Sequence, residues 1–183
     1  YEPEAQNAGV YFAKEKRVRV ATLQDLSQPR RQTRVSTRSL VDDPNGKPAG
    51  NITVVSRNHV LYLSLGGGKA MRYEIGVGRP GFKWSGNVRV GRMAKWPAWT
   101  PPPAMLKRRP DLPKHMVGGI DNPLGARALY LYSGKRDSMF RIHGTTEPET
   151  IGRDVSSGCI RMLNSDVSDL FARVKVGTRV TVM

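Results

Sequence analysis

Short apolar runs separated by turn residues, rather than long periodic segments, dominate the sequence after residue 50. Two such runs, Ile52–Val55 and Val60–Leu63, flank a polar turn, and the turn Gly66–Gly68 precedes Met71–Val77, in which apolar residues alternate with others. Period-two alternation and β-branched runs are typical of strands with one buried face. We therefore predict a mainly β fold, with further strands at Val88–Val90, Ala128–Tyr132, Met139–Ile142 and Arg179–Val182.

One segment near the C-terminus has a helical period instead. Asn164 or Ser165 is the expected N-cap, and Asp166 suits the positive end of the helix dipole. Gly177 is expected to end the helix before the last strand. Four apolar residues recur at spacings that place them on one helix face: Val167, Leu170, Phe171 and Val174.

Two segments show neither the strand period nor the helical period. Residues 1–48 are polar and interrupted by proline and glycine, which predicts an extended N-terminal arm ahead of a domain over residues 49–183. Residues 92–123 contain Trp96 and Trp99 among seven prolines. A long segment of this kind is usually functional or disordered, and two tryptophans argue against disorder. We interpret it as a lid or groove wall, with a structural loop as the alternative.

The charge of the chain indicates a polyanionic partner. Its formal net charge is +15, and Asp111 is the only acidic residue between residues 79 and 120, where Lys and Arg are frequent. Nucleic acid, anionic lipid and an acidic cell wall all fit this charge, and a solvated basic surface is the alternative. No nucleic-acid-binding motif is visible, and no run reaches the ~18–20 apolar residues of a transmembrane segment.

Two motif-like patterns are weak. Residues 76–81 match G-x-G-x-x-G, but Pro80 and the residues after it do not open a helix, so we interpret them as a glycine-rich turn and not a nucleotide site. His59 and His115 are expected at the surface. Three scattered histidines and one cysteine do not have the spacing of a zinc site, so no metal is expected.

The stretch from Arg141 to Asn164 carries the parts of a thiol-based acyl transfer. Cys159 is the only cysteine, so it is either a reactive thiol or a small buried residue. His143 follows a predicted strand and could form the thiolate. The amides of Gly158 and Cys159 could stabilise an oxyanion, and Arg161 could bind a substrate carboxylate.

His143-Gly144-Thr145, followed by Ser156, Gly158, Cys159 and Arg161, resembles the L,D-transpeptidase catalytic domain, the YkuD-like family. The similarity runs from about Gly50 to Met183 and leaves out the arm. It implies an L,D-transpeptidase-like β-sandwich with one clear C-terminal helix and a long Pro/Trp-rich lid loop. It also implies an enzyme without metal or organic cofactor.

The resemblance further implies the reaction. Cys159 would attack the diaminopimelate–D-alanine bond of a peptidoglycan stem tetrapeptide, with His143 as general base and the Gly144 carbonyl orienting its ring. An amine, normally diaminopimelate of another stem, would resolve the acyl-enzyme. Gly158 would supply an oxyanion amide, and the expected substrate-binding residues are Arg161, Ser156, Ser157, Thr145, Trp96 and Trp99.

The sequence leaves the acyl acceptor open, and with it a non-catalytic alternative. Many family members have histidine where this chain has Ser157, which leaves His143 as the candidate base. Water could resolve the thioester, as in an L,D-carboxypeptidase, or the amino terminus of an outer-membrane protein could be the acceptor. A non-catalytic basic module that binds the cell wall is the rival of another class. The enzyme is expected to be exported, periplasmic or associated with the cell wall, with any signal peptide outside this chain.

Overall fold

The computed structural model describes residues 36–183, and within that range the chain forms eleven strands and two α-helices. Helix α1 spans Pro103–Arg108 and helix α2 spans Asn164–Arg173. The strands are β1 (Ser39–Asp42), β2 (Ile52–Val55), β3 (Val60–Gly66), β4 (Lys69–Glu74), β5 (Val77–Gly78), β6 (Gly86–Lys95), β7 (Arg127–Ser133), β8 (Arg136–His143), β9 (Asp154–Ser156), β10 (Ile160–Arg161) and β11 (Arg179–Val182).

Nine of these strands form one mixed sheet in the order β1-β4-β3-β2-β11-β6-β7-β8-β10, and β5 pairs with β9 in a second, two-stranded sheet. Strands β2 and β3 lie far from β7 and β8 in this order, yet their side chains share one buried cluster that includes Val54, Leu61, Leu131 and Ile142. The large sheet therefore bends around a single core, as the two layers of a sandwich do. The prediction of a mainly β fold with a C-terminal helix is confirmed.

Helix α2 packs against β7 and β8 and buries Val167 and Leu170 in the core. The predicted cap and end of this helix are wrong. Leu163, whose side chain cannot form a hydrogen bond, occupies the N-cap position, and the Asn164 side chain bonds to other segments instead of capping the helix. The helix ends at Arg173, since Val174 turns to an extended conformation and packs against the core from there.

Several predicted boundaries also change. Strand β4 ends at Glu74, and Val77 belongs to the second sheet. Strand β6 continues to Lys95, so the first four residues assigned to the lid are a strand. The rest of the lid also contains regular structure, contrary to the prediction: helix α1 and a β-bridge between Trp99 and Met116.

The described end of the predicted arm is part of the sheet. Strand β1 pairs with β4 at the sheet edge, although residues 39–42 were expected to be irregular. Just before it, Ser36 and Thr37 donate three hydrogen bonds, of 2.5–3.0 Å, to the buried carboxylate of Asp166 on α2. Most of the predicted arm, residues 1–35, lies outside the described residues. No helix within residues 36–183 is long and apolar enough to cross a membrane.

Candidate active site

The pairing of β8 with β10 brings together the two residues expected to carry the chemistry. These strands run parallel, with Ile160 opposite Ile142 and Arg161 opposite His143. Side chains of a strand alternate between its faces, so the buried Ile142 and Ile160 face the core while their neighbours face the other way. Cys159 directly precedes β10 and, by the same alternation, lies on the face of His143.

His143 is held by the main chain. Its Nδ1 lies 2.6 Å from the carbonyl oxygen of Gly144, which can only accept, so Nδ1 carries the proton and Nε2 is left as the basic nitrogen. The ring is buried. Burial, with a smaller contribution from the charges of Arg161 and Arg141, lowers the pKa of His143 to about 4. At neutral pH the imidazole is uncharged and able to accept a proton.

The Cys159 thiol is also kept neutral. Burial raises its pKa, while the backbone of Arg141 and the charges of Arg141 and Arg161 act in the opposite direction. A neutral thiol beside a neutral imidazole is the resting pair, rather than a preformed thiolate–imidazolium ion pair. The two arginines supply the positive potential that a thiolate would meet once it forms.

Ser156 organises the loop before the nucleophile. Its hydroxyl donates to the carbonyl oxygen of Cys159 at 2.5 Å and accepts from the amide of Gly158 at 3.0 Å. Because Ser156 is buried and its hydroxyl is engaged inside the loop, the structure does not support the predicted substrate contact. The Gly158 amide is likewise engaged, and its role as an oxyanion donor stays a prediction. The Cys159 amide donates no hydrogen bond to any residue within 36–183.

Trp84 and Phe140 support this loop from outside, and the sequence reading missed both. Their rings stack with centroids 4.4 Å apart, and the Trp84 Nε1 donates to the Gly158 carbonyl at 2.9 Å. Gly158 has φ of +112°, and a Cβ there would lie 2.5 Å from the Phe140 ring. The position therefore requires glycine. A tryptophan following a glycine-rich turn was the available signal.

The glycine-rich turn at residues 76–81 packs against the same loop. Gly76 exchanges two backbone hydrogen bonds with Arg161, of 2.8 and 2.9 Å. A Cβ on Gly78 would lie 2.6 Å from the Phe82 carbonyl oxygen and 3.2 Å from Gly158. These glycines allow close backbone packing. The G-x-G-x-x-G pattern thus lies on a short strand and a turn, with no helix directly after it.

Asn164 joins three segments beneath His143. Its Oδ1 accepts from the amides of Ala126 at 2.9 Å and Thr145 at 3.3 Å, and its Nδ2 donates to the Thr145 carbonyl at 3.0 Å. A Cβ on Gly144 would lie 2.1 Å from that Oδ1, so glycine is needed beside His143 for this packing. The sequence reading assigned Asn164 to a helix cap because these partners are distant in sequence.

The remaining predicted substrate residues are more dispersed. Arg161 faces the site but pairs with Glu147 at 2.6 Å, and Thr145 is buried with its hydroxyl accepting from the Glu147 amide. Ser157 is half-buried beside Cys159. No hydrogen bond or ring contact in the described part of the chain joins Trp96 or Trp99 to His143 or Cys159. The same part contains no group of three or more His, Cys, Asp or Glu residues placed to hold a metal ion.

Known proteins with similar sequences identify the family of this domain. Residues 50–182 match the model of the L,D-transpeptidase catalytic domain, YkuD. The chain is 34% identical over 146 residues to the probable L,D-transpeptidase ErfK/SrfK of Escherichia coli K12, which covers 76% of this chain and 46% of that relative. It therefore spans about half the length of that protein.

Solved structures agree on the fold. L,D-transpeptidase 3 of Mycobacterium tuberculosis is 16% identical, with a TM-score of 0.56, and the match covers 72% of this chain and 60% of that one. A Brucella melitensis protein described as a probable carnitine operon oxidoreductase is 40% identical, with a TM-score of 0.55 and coverage of 80% and 92%. These names differ, but the family model matches most of this sequence. The chain belongs to the L,D-transpeptidase catalytic domain family.

Proposed function

We propose that the protein is an exported peptidoglycan L,D-transpeptidase with Cys159 as nucleophile and His143 as general base. The observation that carries this proposal is the register of β8 and β10, which puts Cys159 on one sheet face with a histidine whose Nδ1 is bound by the Gly144 carbonyl. Membership of the family supports the reaction class. The bond attacked is that between diaminopimelate and the terminal D-alanine of a stem tetrapeptide.

In the acylation step the thiol proton moves to Nε2 of His143, and the sulfur of Cys159 attacks the carbonyl carbon of the scissile amide. Negative charge then develops on the carbonyl oxygen. The amide of Cys159 is the proposed donor for that oxygen, because the Gly158 amide already donates to Ser156. When the C–N bond breaks, the imidazolium of His143 returns the proton to the departing amino group of D-alanine.

Deacylation runs the same steps with a new nucleophile. The amine of a second stem gives its proton to Nε2 of His143 as its nitrogen attacks the thioester carbonyl, and the Cys159 sulfur leaves as a thiolate that takes the proton back. The neutral resting pair makes substrate binding part of the activation, since the thiol transfers its proton only when a carbonyl is in place. Exclusion of water favours the amine over hydrolysis.

The segment 96–123 is proposed to be the lid of this site. It reaches the loops around the nucleophile, because the guanidinium of Arg108 on α1 lies 5.8 Å from the ring centroid of Phe82. Arg79 lies over the same ring at 4.4 Å, and Phe82 borders Gly158. We therefore propose that the lid moves with the glycine-rich turn when substrate binds.

Intact-protein mass spectrometry tests the function. The wild-type chain is incubated with a disaccharide-tetrapeptide, beside Cys159→Ser and beside Cys159→Ser with the substrate omitted. We expect loss of D-alanine and a thioester adduct in the wild type and neither in the variant. A folded wild-type protein that gives no adduct and no turnover contradicts the proposal and favours a non-catalytic cell-wall-binding module.

The same assay identifies the acceptor. Free tetrapeptide stems, water and a peptide with a free amino terminus are compared as the second substrate. Cross-linked dimers indicate a transpeptidase, tripeptide alone indicates an L,D-carboxypeptidase, and a peptide adduct indicates attachment of a protein amino terminus. We expect dimers as the main product.

A further inference from the structure

A basic groove lies away from the catalytic pair. It has a volume of about 610 Å³ and is lined by β6, β11, the end of β7 and the segment before β2. Lys47, Arg89 and Arg179 line it, together with polar groups of Asn87 and Tyr132. None of the lining residues is Asp or Glu.

The two arginines face each other without a counter-charge. Arg179 on β11 is directly opposite Arg89 on β6 in an antiparallel pair, an arrangement that is unfavourable for like charges. Within residues 36–183 neither arginine forms an ion pair, and Arg89 donates only to the carbonyl of Gly134, at 2.9 and 3.2 Å. A bound anion would relieve this repulsion and use the free guanidinium donors.

Neutral donors complete the groove. The Asn87 Oδ1 accepts from the Thr181 hydroxyl at 2.9 Å, which leaves the Nδ2 donors of Asn87 for a ligand. Asp137, opposite Tyr132 on β8, is the nearby acidic residue, and an ion pair with Arg141 compensates it. The cations and amide donors of the lining therefore fit carboxylates better than they fit a cationic or apolar ligand. The groove is open to solvent rather than enclosed, which leaves room for a polymeric ligand to pass through it.

The groove is on the sheet face that carries the catalytic pair. Arg89 is opposite Tyr132 on β7, and Tyr130, two residues along, is opposite Arg141 on β8. Ala128 is opposite His143 at the other end of β7. Cross-strand partners share a face, so one face leads from the groove to the site over about 13 Å of β7.

Basic side chains continue between the two. The guanidinium groups of Arg92 and Arg141 lie over the Tyr130 ring, at 3.5 and 4.4 Å from its centroid. Arg92 is exposed and forms no ion pair with any residue that the structure describes. Arg141 is compensated by an ion pair with Asp137 at 2.7 Å, so Arg92 supplies the positive potential between the groove and Cys159.

We propose that this groove binds the carboxylates of neighbouring stem peptides on the peptidoglycan strand whose stem occupies the catalytic site. This inference rests on the proposed function, because it takes its ligand from the same polymer. The groove would hold the polymer while one stem reacts. It would matter for a long strand and not for a single disaccharide-tetrapeptide, which carries no neighbouring stem.

The test measures binding without turnover. The Cys159→Ser chain is titrated with soluble, uncross-linked peptidoglycan strands that carry tetrapeptide stems, with and without the added pair Arg89→Gln/Arg179→Gln. We expect the pair to weaken binding at least about tenfold, because two charge-assisted contacts are lost. The matched control is Arg57→Gln/Lys175→Gln, which removes two exposed cations outside the groove, and a change below about twofold is expected there.

Further arms identify the chemistry. Strands with amidated carboxylates should bind the unaltered groove as weakly as native strands bind the Arg89→Gln/Arg179→Gln chain. The pair Arg89→Lys/Arg179→Lys should restore part of the affinity. The Arg179 side chain makes no hydrogen bond in the described range, so replacing it alone should not impair folding. The single variant Arg179→Gln should therefore weaken binding severalfold while the chain stays folded.

Four results would overturn the proposal. They are unchanged binding by Arg89→Gln/Arg179→Gln, an equal loss in the Arg57→Gln/Lys175→Gln control, undiminished binding of amidated strands, and tighter groove-dependent binding of a polyphosphate than of the native strand. Turnover of the short disaccharide-tetrapeptide by chains that retain Cys159 is measured in parallel. Its absence in the wild type would refute the proposed function, whereas the binding result reports on the groove itself.

Discussion

At the scale of single residues, Ser156 and Ser157 adjoin the nucleophile but differ in their contacts. The Ser156 hydroxyl bonds to both Gly158 and Cys159, whereas Ser157 is half-buried and no hydrogen bond to its side chain is present in the described range. One serine therefore holds the main chain around the thiol, and the other can face a substrate.

We predict that Ser156→Ala lowers kcat at least about tenfold, because a small displacement of the nucleophile is costly to the reaction. It should also reduce the free energy of unfolding by about 1–3 kcal/mol, since a buried amide and carbonyl lose their partner. Ser157→Ala is the matched control and should leave unfolding unchanged. Steady-state kinetics and denaturant titration measure both, and equal effects of the two variants would argue against the assigned role of Ser156.

The buried His143 makes stability depend on pH. Its pKa in the folded chain is about 4, below the ordinary value of about 6.5, so the unfolded chain binds more protons between these values. The contribution of His143 to the free energy of unfolding is fully present above about pH 6.5 and is lost as the pH falls toward 4. From pH 7 to pH 5 this single group should cost about 2 kcal/mol.

Denaturant titration of the wild type and His143→Gln at pH 7 and pH 5 measures this cost. Other titrating groups act in both chains, so the difference between the two pH dependences isolates His143. We expect the wild type to lose more stability than the variant on acidification. Parallel pH dependences would show that His143 is not buried in its neutral form. His143→Gln should also fail to form the thioester adduct, because no base remains for the thiol.

At the scale of elements, the lid is the segment where structure and sequence pattern differ most. Two backbone hydrogen bonds of 2.8 Å between Trp99 and Met116 close a loop that contains α1, and Trp96 adopts a positive φ of 43° at its base. The Gly118 Cα lies so close to the Trp96 carbonyl that a Cβ there would clash. The base of this loop is thus shaped by its backbone.

We predict that Trp99→Ala lowers the ratio of transfer to hydrolysis, because a smaller side chain excludes water less well from the acyl-enzyme. The backbone bridge to Met116 does not depend on the tryptophan ring, so the loop should keep its conformation. Leu40→Ala, an exposed apolar truncation on β1, is the control. The measurement is the ratio of cross-linked dimer to tripeptide, and an unchanged ratio would remove the lid from the mechanism.

The elements themselves were predictable where a period is long enough. Strands β2, β3, β7, β8 and β11 follow from alternating or β-branched runs, and α2 from its apolar face. Strands β9 and β10 have three and two residues, too few for any period to show. Val174 was assigned to the helix because an apolar side chain at that spacing fits either a helix face or an extended core position.

Some residues of the site could be identified from the sequence and others could not. His143 and Cys159 could be identified because the motif around them is local in sequence. Trp84 was missed although it follows a glycine-rich turn, since its contacts with Phe140 and Gly158 join segments more than fifty residues apart in the sequence. The hydrogen bond of the Gly158 amide was not predicted for a similar reason, because it depends on the rotamer of Ser156, which no spacing reveals.

At the scale of the whole molecule, Thr37 connects the sheet edge to the helix beside the site. Its hydroxyl donates to the Asp166 carboxylate at 2.7 Å and accepts from the Glu74 amide at 2.9 Å. Asp166 is fully buried, so each of its hydrogen bonds offsets the cost of keeping a carboxylate away from water. The residues before β1 therefore belong to the stability of the catalytic domain.

We predict that Thr37→Val reduces the free energy of unfolding by about 1–3 kcal/mol, since it keeps the shape of the side chain and removes both hydrogen bonds. kcat and KM on the disaccharide-tetrapeptide should not change. Ser39→Ala, an exposed substitution on β1, is the control and should leave stability within about 0.5 kcal/mol of the wild type. A Thr37→Val chain as stable as the control would contradict this role.

The orientation of His143 has a consequence for how the site tolerates mutation. Where a carboxylate side chain orients a catalytic histidine, one nucleotide change can delete the acceptor, and acid can protonate it. Here the acceptor is the peptide carbonyl of the next residue, which every amino acid carries and which stays unprotonated in ordinary acid. Point mutations can displace this acceptor but cannot remove it. The mutations that would displace it are those at Gly144 and at Asn164, because the Asn164 side chain leaves no room for a Cβ on Gly144.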